Sequence, residues 1–328
     1  MFLLTIRRGL VLFVGLFLCG TSAAADALLE RMPYQAPFQN YSDWLAFMDK
    51  ADDSAWQAPS VRRWVDHVAF ERCANNDEIE VETFRYLSDG LSIRAFMATP
   101  TDARERHPVI LFAHGGVAQW GRVTFFDILE MCRLAEKGYV VIAPTLRGEG
   151  GSEGRANLGA GEVSDMLNLI RVVRGLGAAD PERIGIWGFS RGGGLTYRLL
   201  AATNQLKAAV VVGAPADHLR DPRRAEFDEH VYPDVVDGYT EDPNGALRQI
   251  SAVYWPEKIH AQTPLLLLHG QRDVRVGVEQ SLRMASALRG VDHPNMALQI
   301  FDQGSHTLIE QRDRMRAAID YWFDTYLK

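Results

Sequence analysis

Arg183-Ile184-Gly185-Ile186-Trp187-Gly188-Phe189-Ser190-Arg191-Gly192-Gly193-Gly194-Leu195 runs from a short apolar stretch, through a serine flanked by glycines, into a segment with apolar residues at helical spacing. Gly188-Phe189-Ser190-Arg191-Gly192 matches G-x-S-x-G, the sharp strand-to-helix turn that holds a serine hydroxyl over the ends of a parallel sheet. The glycines belong to that reading because the serine backbone is strained and a side chain beside it would collide across the turn. Gly150-Gly151-Ser152-Glu153-Gly154 fits the same expression. Ser190 directly follows a strand-like run and directly precedes a helical one, whereas Ser152 lies in a Gly- and Glu-rich stretch followed by polar residues. Context therefore selects Ser190.

Outward from this turn, unbroken apolar runs alternate with helical segments. Val109 to Ala113, Tyr139 to Ala143, Ile184 to Trp187, Ala208 to Val212, Leu265 to Leu268 and Met296 to Phe301 are short and rich in β-branched residues or Leu. Such runs are strands buried on both faces. Segments 123–137, 160–176, 191–203, 275–289 and 307–327 read as the helices between them. Ile79 to Tyr86 and Leu91 to Ala98 alternate around Ser88-Asp89-Gly90, an antiparallel hairpin with an Asp-Gly turn. The predicted fold class is α/β, a mostly parallel central sheet with an antiparallel hairpin start and helices on both faces.

Two segments depart from this alternation. Residues 216–262 are polar, broken by Pro222, Pro233, Pro243 and Pro256, and too long for a plain connection, so they read as an inserted cap. Residues 26–75 carry Trp44, Phe47, Met48, Trp56, Trp64 and Val68 at roughly helical spacing, predicting an N-terminal cover of short helices ahead of a catalytic domain over 76–328. Residues 1–25 hold Arg7 and Arg8, the apolar run Leu10 to Cys19 and small residues ending Ala23-Ala24-Ala25, the layout of a cleaved secretory signal. The apolar run is far shorter than the ~20 residues of a spanning helix, so an uncleaved anchor is the alternative, and no stable membrane insertion is expected after cleavage. Bulky Leu18 before Cys19 argues against a lipoprotein.

The 328 residues are 47% hydrophobic and 23% charged, the proportions of a globular chain. Without Arg7 and Arg8, the 35 basic residues become 33 against 42 acidic, a charge of −9. With no Lys/Arg-rich block, nucleic-acid binding has no electrostatic footprint. Three cysteines and no CxxC or HExxH spacing supply no ligand set for a metal, so neither a metal nor another cofactor is expected. An exported chain could pair Cys73 with Cys132; a buried free thiol at Cys132 is equally natural.

A serine hydroxyl needs a histidine to take its proton, and that histidine an acid to fix its tautomer. Asp273 falls in the loop after the Leu265 to Leu268 strand, and His306 in the loop after the final strand. Asp302 is the competing acid, but it shares a strand end with His306. His67 and His107 precede the sheet core, His218, His230 and His260 lie in the insertion, and His293 falls in a turn. His114 and His269 each end a strand before glycine, where packing is the commoner role.

Taken together, His114-Gly115-Gly116, Gly188-Phe189-Ser190-Arg191-Gly192-Gly193, Leu268-His269-Gly270-Gln271-Arg272-Asp273-Val274-Arg275-Val276 and Gly304-Ser305-His306 resemble the catalytic domain of the prolyl oligopeptidase family of serine peptidases, over residues 80–328. The resemblance implies an α/β-hydrolase fold, a triad of Ser190, Asp273 and His306, and an oxyanion hole of the Arg191 N–H with one from Gly116 or Val117. Val117 stands where proline is frequent in the family. Larger members carry a β-propeller ahead of this domain, which residues 26–75 cannot build. The Arg147 to Ser152 stretch resembles a family loop, where Arg147 and Glu149 are expected to brace neighbouring loops, with a substrate contact by either as the alternative. Trp120, Tyr254 and Trp255 are the candidate substrate contacts. The expected function is an exported serine hydrolase acting on a small peptide or ester. A carboxylesterase or acetyl-ester hydrolase is the alternative, and a non-catalytic binding protein on the same fold is a remote one. The oligomeric state has no signal in the sequence.

Overall fold

A computed structural model describes residues 28–50, 67–74, 76–102 and 106–328. The expected signal over 1–25, Trp56 and Trp64 lie outside these residues. The chain enters through β1 (Leu28–Pro33), α1 (Tyr41–Lys50) and α2 (His67–Ala74), then makes the hairpin of β2 (Ile79–Ser88) and β3 (Leu91–Pro100). Asp89 and Gly90 turn it, both with positive φ, as a two-residue turn matched to strand twist requires. There follow β4 (His107–Ala113), α3 (Phe125–Glu136), β5 (Val140–Thr145), α4 (Ala160–Val173), β6 (Ala179–Phe189), α5 (Arg191–Ala202) and β7 (Leu206–Val212). After a helical insertion with α6 (Arg224–His230), α7 (Tyr232–Val235) and α8 (Pro243–Ile250), the chain closes with β8 (Leu265–Gly270), α9 (Glu279–Gly290), β9 (Met296–Phe301) and α10 (Arg312–Leu327).

The nine strands form one sheet in the order β1-β2-β3-β5-β4-β6-β7-β8-β9. Pairing is antiparallel from β1 through β3 to β5 and parallel from β5 to β9. The parallel strands are apolar on both sides because each side meets helices. Met166, Leu169, Leu195, Leu199, Met284 and Leu288 of α4, α5 and α9 cover one face, while Ile128, Leu134, Met315, Ile319 and Phe323 of α3 and α10 cover the other. Parallel order brings the carboxyl ends of β4 to β9 to one edge, where a site can form.

One expectation needs correction and one open question is answered. The segment read as wholly helical begins instead with strand β1, which pairs with the outer edge of β2. Leu29 and Met32 stay half exposed, so main-chain hydrogen bonding, rather than burial of an apolar face, sets this edge strand. After a non-helical stretch over 34–40, α1 and α2 follow, with Trp44 and Phe70 packed on Leu129 of α3. Cys73 and Cys132, left open by the sequence, form a disulfide joining α2 to α3.

The insertion also divides. Tyr232, Val235, Val236, Tyr239, Leu247 and Ile250 form a small core with Ala156 and Leu158 of the loop after β5. Ala252, Trp255 and Ile259 instead return to the main core. The cap proper is its first part.

Candidate functional site

Ser190 sits between β6 and α5 with φ 53 and ψ −123, backbone values that a non-glycine residue adopts only under strain. Its N–H donates to Val212 O at 2.8 Å, and its carbonyl accepts from Gly193 N at 2.9 Å. A Cβ on Gly192 would stand 1.9 Å from Ala113 O. Only glycine lets the helix start so close to the end of β4, and that proximity presents the hydroxyl outward.

His306 Nε2 lies 2.9 Å from Ser190 Oγ, and Nδ1 lies 2.6 Å from Asp273 Oδ2. A carboxylate can only accept, so Nδ1 carries the proton and Nε2 is free to accept from the serine. The loops bearing Asp273 and His306 are tied by main-chain bonds from Gln271 N to Phe301 O and Arg272 N to Gly304 O, both 2.9 Å. Burial alone would raise the Asp273 carboxyl. Hydrogen bonding with His269 and His306, the His306 charge and the Val276 N–H outweigh burial and hold it well below the usual carboxylate range.

His269, read from the sequence as a packing residue, is fully buried beside that carboxylate. Its Nε2 faces Val276 O at 2.8 Å and Asp273 Oδ2 at 3.2 Å. Both are acceptors, so Nε2 carries the proton and Nδ1 takes the Ser281 hydroxyl at 2.6 Å. Asp302 is exposed.

Ser190, Arg191 and His306 open onto a cavity of about 240 Å³, with Gly116, Val117 and Trp120 on its rim. Leu158, Pro215, Phe227, Val231, Tyr232 and Val276 form its apolar wall. His218 and Asp221 supply buried polar groups there. Burial, helped by the Arg198 charge, pushes the His218 imidazole down to about 3, and burial pushes Asp221 up. Trp120 is 69% exposed, placing it at the mouth.

Tyr254 and Trp255 lie elsewhere. Trp255 is 9% exposed in the main core, its indole N–H donating to Arg248 O at 3.2 Å. The Tyr254 hydroxyl donates to Asp217 Oδ1 at 3.2 Å, and the Arg248 guanidinium covers its ring. Together with Arg198 and Lys258 they border a separate crevice. Short helical turns over 252–258 fold these rings back onto the body, which removes them as candidate contacts. Phe227 and Tyr232 from the earlier half of the insertion take that place.

Beneath Ser190, the Arg191 side chain bridges Glu149, at 2.7 Å, and Glu162, which also takes Arg198 at 2.9 Å. Glu149 accepts from Ala118 N at 2.8 Å. Its carboxyl is pushed up to about 7 by burial and by Glu162, against the pull of Arg191. His114 stands 3.7 Å from it, and burial with the Arg191 charge pushes that imidazole down to about 3. Arg147 pairs with Asp165 and Asp89. Arg147 and Glu149 thus brace loops, as expected, while Glu162 carried no sequence signal that could have found it.

Residues 112–328 match the model of the prolyl oligopeptidase family. The uncharacterized peptidase YuxL of Bacillus subtilis is 27% identical over 76% of this chain and 39% of its own, and YtmA of the same organism 25% identical over 67% and 83%. Among solved structures, Pyrococcus horikoshii acylaminoacyl peptidase superposes with a TM-score of 0.65 at 27% identity, over 77% of this chain and 42% of its own. A Pyrococcus furiosus esterase matches at 0.60 and 18% identity, over 76% and 92%, a likeness of fold. The chain spans about two fifths of the length of YuxL and of the acylaminoacyl peptidase.

Proposed function

The chain belongs to the prolyl oligopeptidase family, and from that premise we propose that it is a serine hydrolase that opens peptide or ester bonds through an acyl-enzyme on Ser190. The observation that carries this reading is the relay of Ser190, His306 and Asp273 at 2.9 and 2.6 Å on a strained turn facing a cavity. His306 Nε2 takes the hydroxyl proton as Ser190 Oγ attacks the carbonyl carbon. The low-lying Asp273 carboxylate stabilises the resulting imidazolium. The Arg191 N–H, first in α5 and so without an intrahelical acceptor, holds the oxyanion together with an N–H of Gly116 or Val117. His306 then gives its proton to the leaving amine or alcohol, and water repeats the sequence to free the acid.

The size of the cavity favours one short acyl or aminoacyl group against Phe227, Val231 and Tyr232. Its fit to short acyl chains supports the ester reading alongside the peptide one. We also read the protein as exported, supported by the layout of residues 7–25 and by the Cys73–Cys132 disulfide. A panel of p-nitrophenyl esters and aminoacyl p-nitroanilides, assayed side by side, tests the function. The expected result is turnover of short acyl or aminoacyl substrates with a steep fall as the acyl group outgrows the cavity. Inertness towards both classes would refute it.

A further inference from the structure

We propose that Glu149 is a positioning residue whose carboxylate sets the oxyanion hole, by tying the loop that carries Gly116 and Val117 to the residue that follows the nucleophile. The proposal rests on the reading of Ser190 as nucleophile.

Four observations converge. One oxygen of Glu149 accepts from the Ala118 N–H at 2.8 Å, and the other takes the Arg191 guanidinium at 2.7 Å. The two expected oxyanion donors, on Arg191 and on Gly116 or Val117, therefore sit on chain segments held by a single carboxylate. Ala118 has φ 53, a conformation an alanine keeps only when its surroundings impose it, and its N–H bond to Glu149 is such a constraint. The loop is wrapped around the carboxylate, since a Cβ on Gly121 would fall 2.2 Å from Glu149 Cδ. Finally, the Glu149 side chain has no solvent exposure, so no water can replace either partner and the bonds keep their full directing strength.

Each bond alone would brace a loop. Joined at one rigid carboxylate, they extend out to Ala118 the contact that β4–β6 pairing and the close approach of Gly192 to Ala113 O already make at the base of the loop. Donors of an oxyanion hole act when they are held about 3 Å from the developing charge, and a small displacement of one weakens the transition state without touching the bound substrate.

Glu149→Gln tests this with little change in shape. An amide has one acceptor oxygen for two donors, so whichever way it turns, either Ala118 or Arg191 loses its partner. At pH 8, kcat for a short-chain p-nitrophenyl ester should fall roughly 10- to 100-fold with KM changed by less than about threefold. Affinity for a trifluoromethyl ketone should fall by a similar factor, because Ser190 adds to its carbonyl and leaves an oxyanion in the hole. Unchanged kcat and ketone affinity in the folded variant would overturn the proposal, as would a raised KM at constant kcat. If the variant does not fold, amide exchange on the wild-type protein decides. Protection of the Ala118 N–H like that of the neighbouring strands supports the tie, and a solvent-like rate overturns it. A wild-type protein that neither turns over ester nor accepts a fluorophosphonate on Ser190 would instead sink the nucleophile reading itself.

Discussion

The two Gly-x-Ser-x-Gly segments, 188–192 and 150–154, share five-letter patterns and little else. In the first, Ser190 holds positive φ and meets His306 at the edge of a cavity. In the second, Ser152 spends its hydroxyl on the chain itself, donating to Thr145 O and accepting from Arg94 N. The glycines differ in their reasons too. Gly188 and Gly192 are required by close approach, where a Cβ would strike Gly192 O at 2.5 Å or Ala113 O at 1.9 Å. Gly150 and Gly154 have φ of +45 and +89, which Gly188 and Gly192 do not need, and a Cβ there would come closest to the side chains of Thr145 and Leu91, at 2.2 and 2.7 Å, rather than to backbone. A motif of this kind states which backbone shapes are possible, and the flanking elements decide whether the serine is offered to a substrate or consumed by the fold.

Serine truncation should separate the two segments most sharply. Ser190→Ala is expected to lower kcat about 10⁴- to 10⁶-fold with little change in KM, in steady-state ester hydrolysis. Ser152→Ala should leave kcat within about threefold and lower stability by roughly 1 kcal/mol for its lost hydrogen bonds. Equal losses of activity would erase the distinction.

The acids give the next contrast. Asp273→Asn, which upsets the His306 tautomer, should lower kcat by about 10⁴-fold or less, whereas exposed Asp302→Asn should hardly change it. A larger loss at Asp302 would move the acid.

A further expected effect appears in stability against pH, and it concerns four groups shifted by burial, His114 and Glu149 beneath Arg191, His218 in the cavity wall and Asp127 at the start of α3. His114 and His218 titrate near 3 when folded against 6.5 ordinarily, while Asp127 and Glu149 titrate near 6 and 7 against 3.8 and 4.5. Between about pH 4.5 and 6 the unfolded chain carries two imidazole protons that the folded chain lacks, and the folded chain carries two carboxyl protons that the unfolded chain lacks. These offset, so the four groups together should contribute little slope to Tm there. Below about pH 3.8 all four groups are protonated in the unfolded chain and only the carboxyls in the folded one. Stability should then fall by up to about 2.7 kcal/mol per pH unit, with Asp273 acting in the same direction. Circular dichroism melts at pH 5.5, 4.5 and 3.5 check this. A steady decline from pH 6.5 to 4.5 would show that the buried carboxyls do not offset the imidazoles.

Much of this was legible in the sequence because each feature leaves a local mark. Strands buried on both faces leave apolar runs, a tight turn leaves glycines, and Asp273 and His306 stand just beyond runs that could only be strands. What escaped notice lacks such a mark. Strand β1 is held by the edge of β2 through main-chain bonds, which Leu-Leu-Glu-Arg-Met-Pro does not advertise. Tyr254 and Trp255 share aromatic character with Phe227 and Tyr232, and nothing in composition says which half of the insertion turns toward Ser190. Glu162 is one acid in a helix full of ordinary residues until Arg191 and Arg198 close upon it. The sequence leaves the Cys73–Cys132 bond open, as one of two options, because it depends on α2 lying against α3, a contact between segments far apart in the chain.

The most direct test of the central contrast is covalent labelling of the folded protein with a fluorophosphonate, followed by peptide mapping. Only a hydroxyl whose proton is taken by a neighbouring base attacks phosphorus readily. The predicted result is a single adduct on the peptide containing Ser190, with Ser152 unmodified. An adduct on Ser152, or no adduct on protein shown to be folded, would contradict the account.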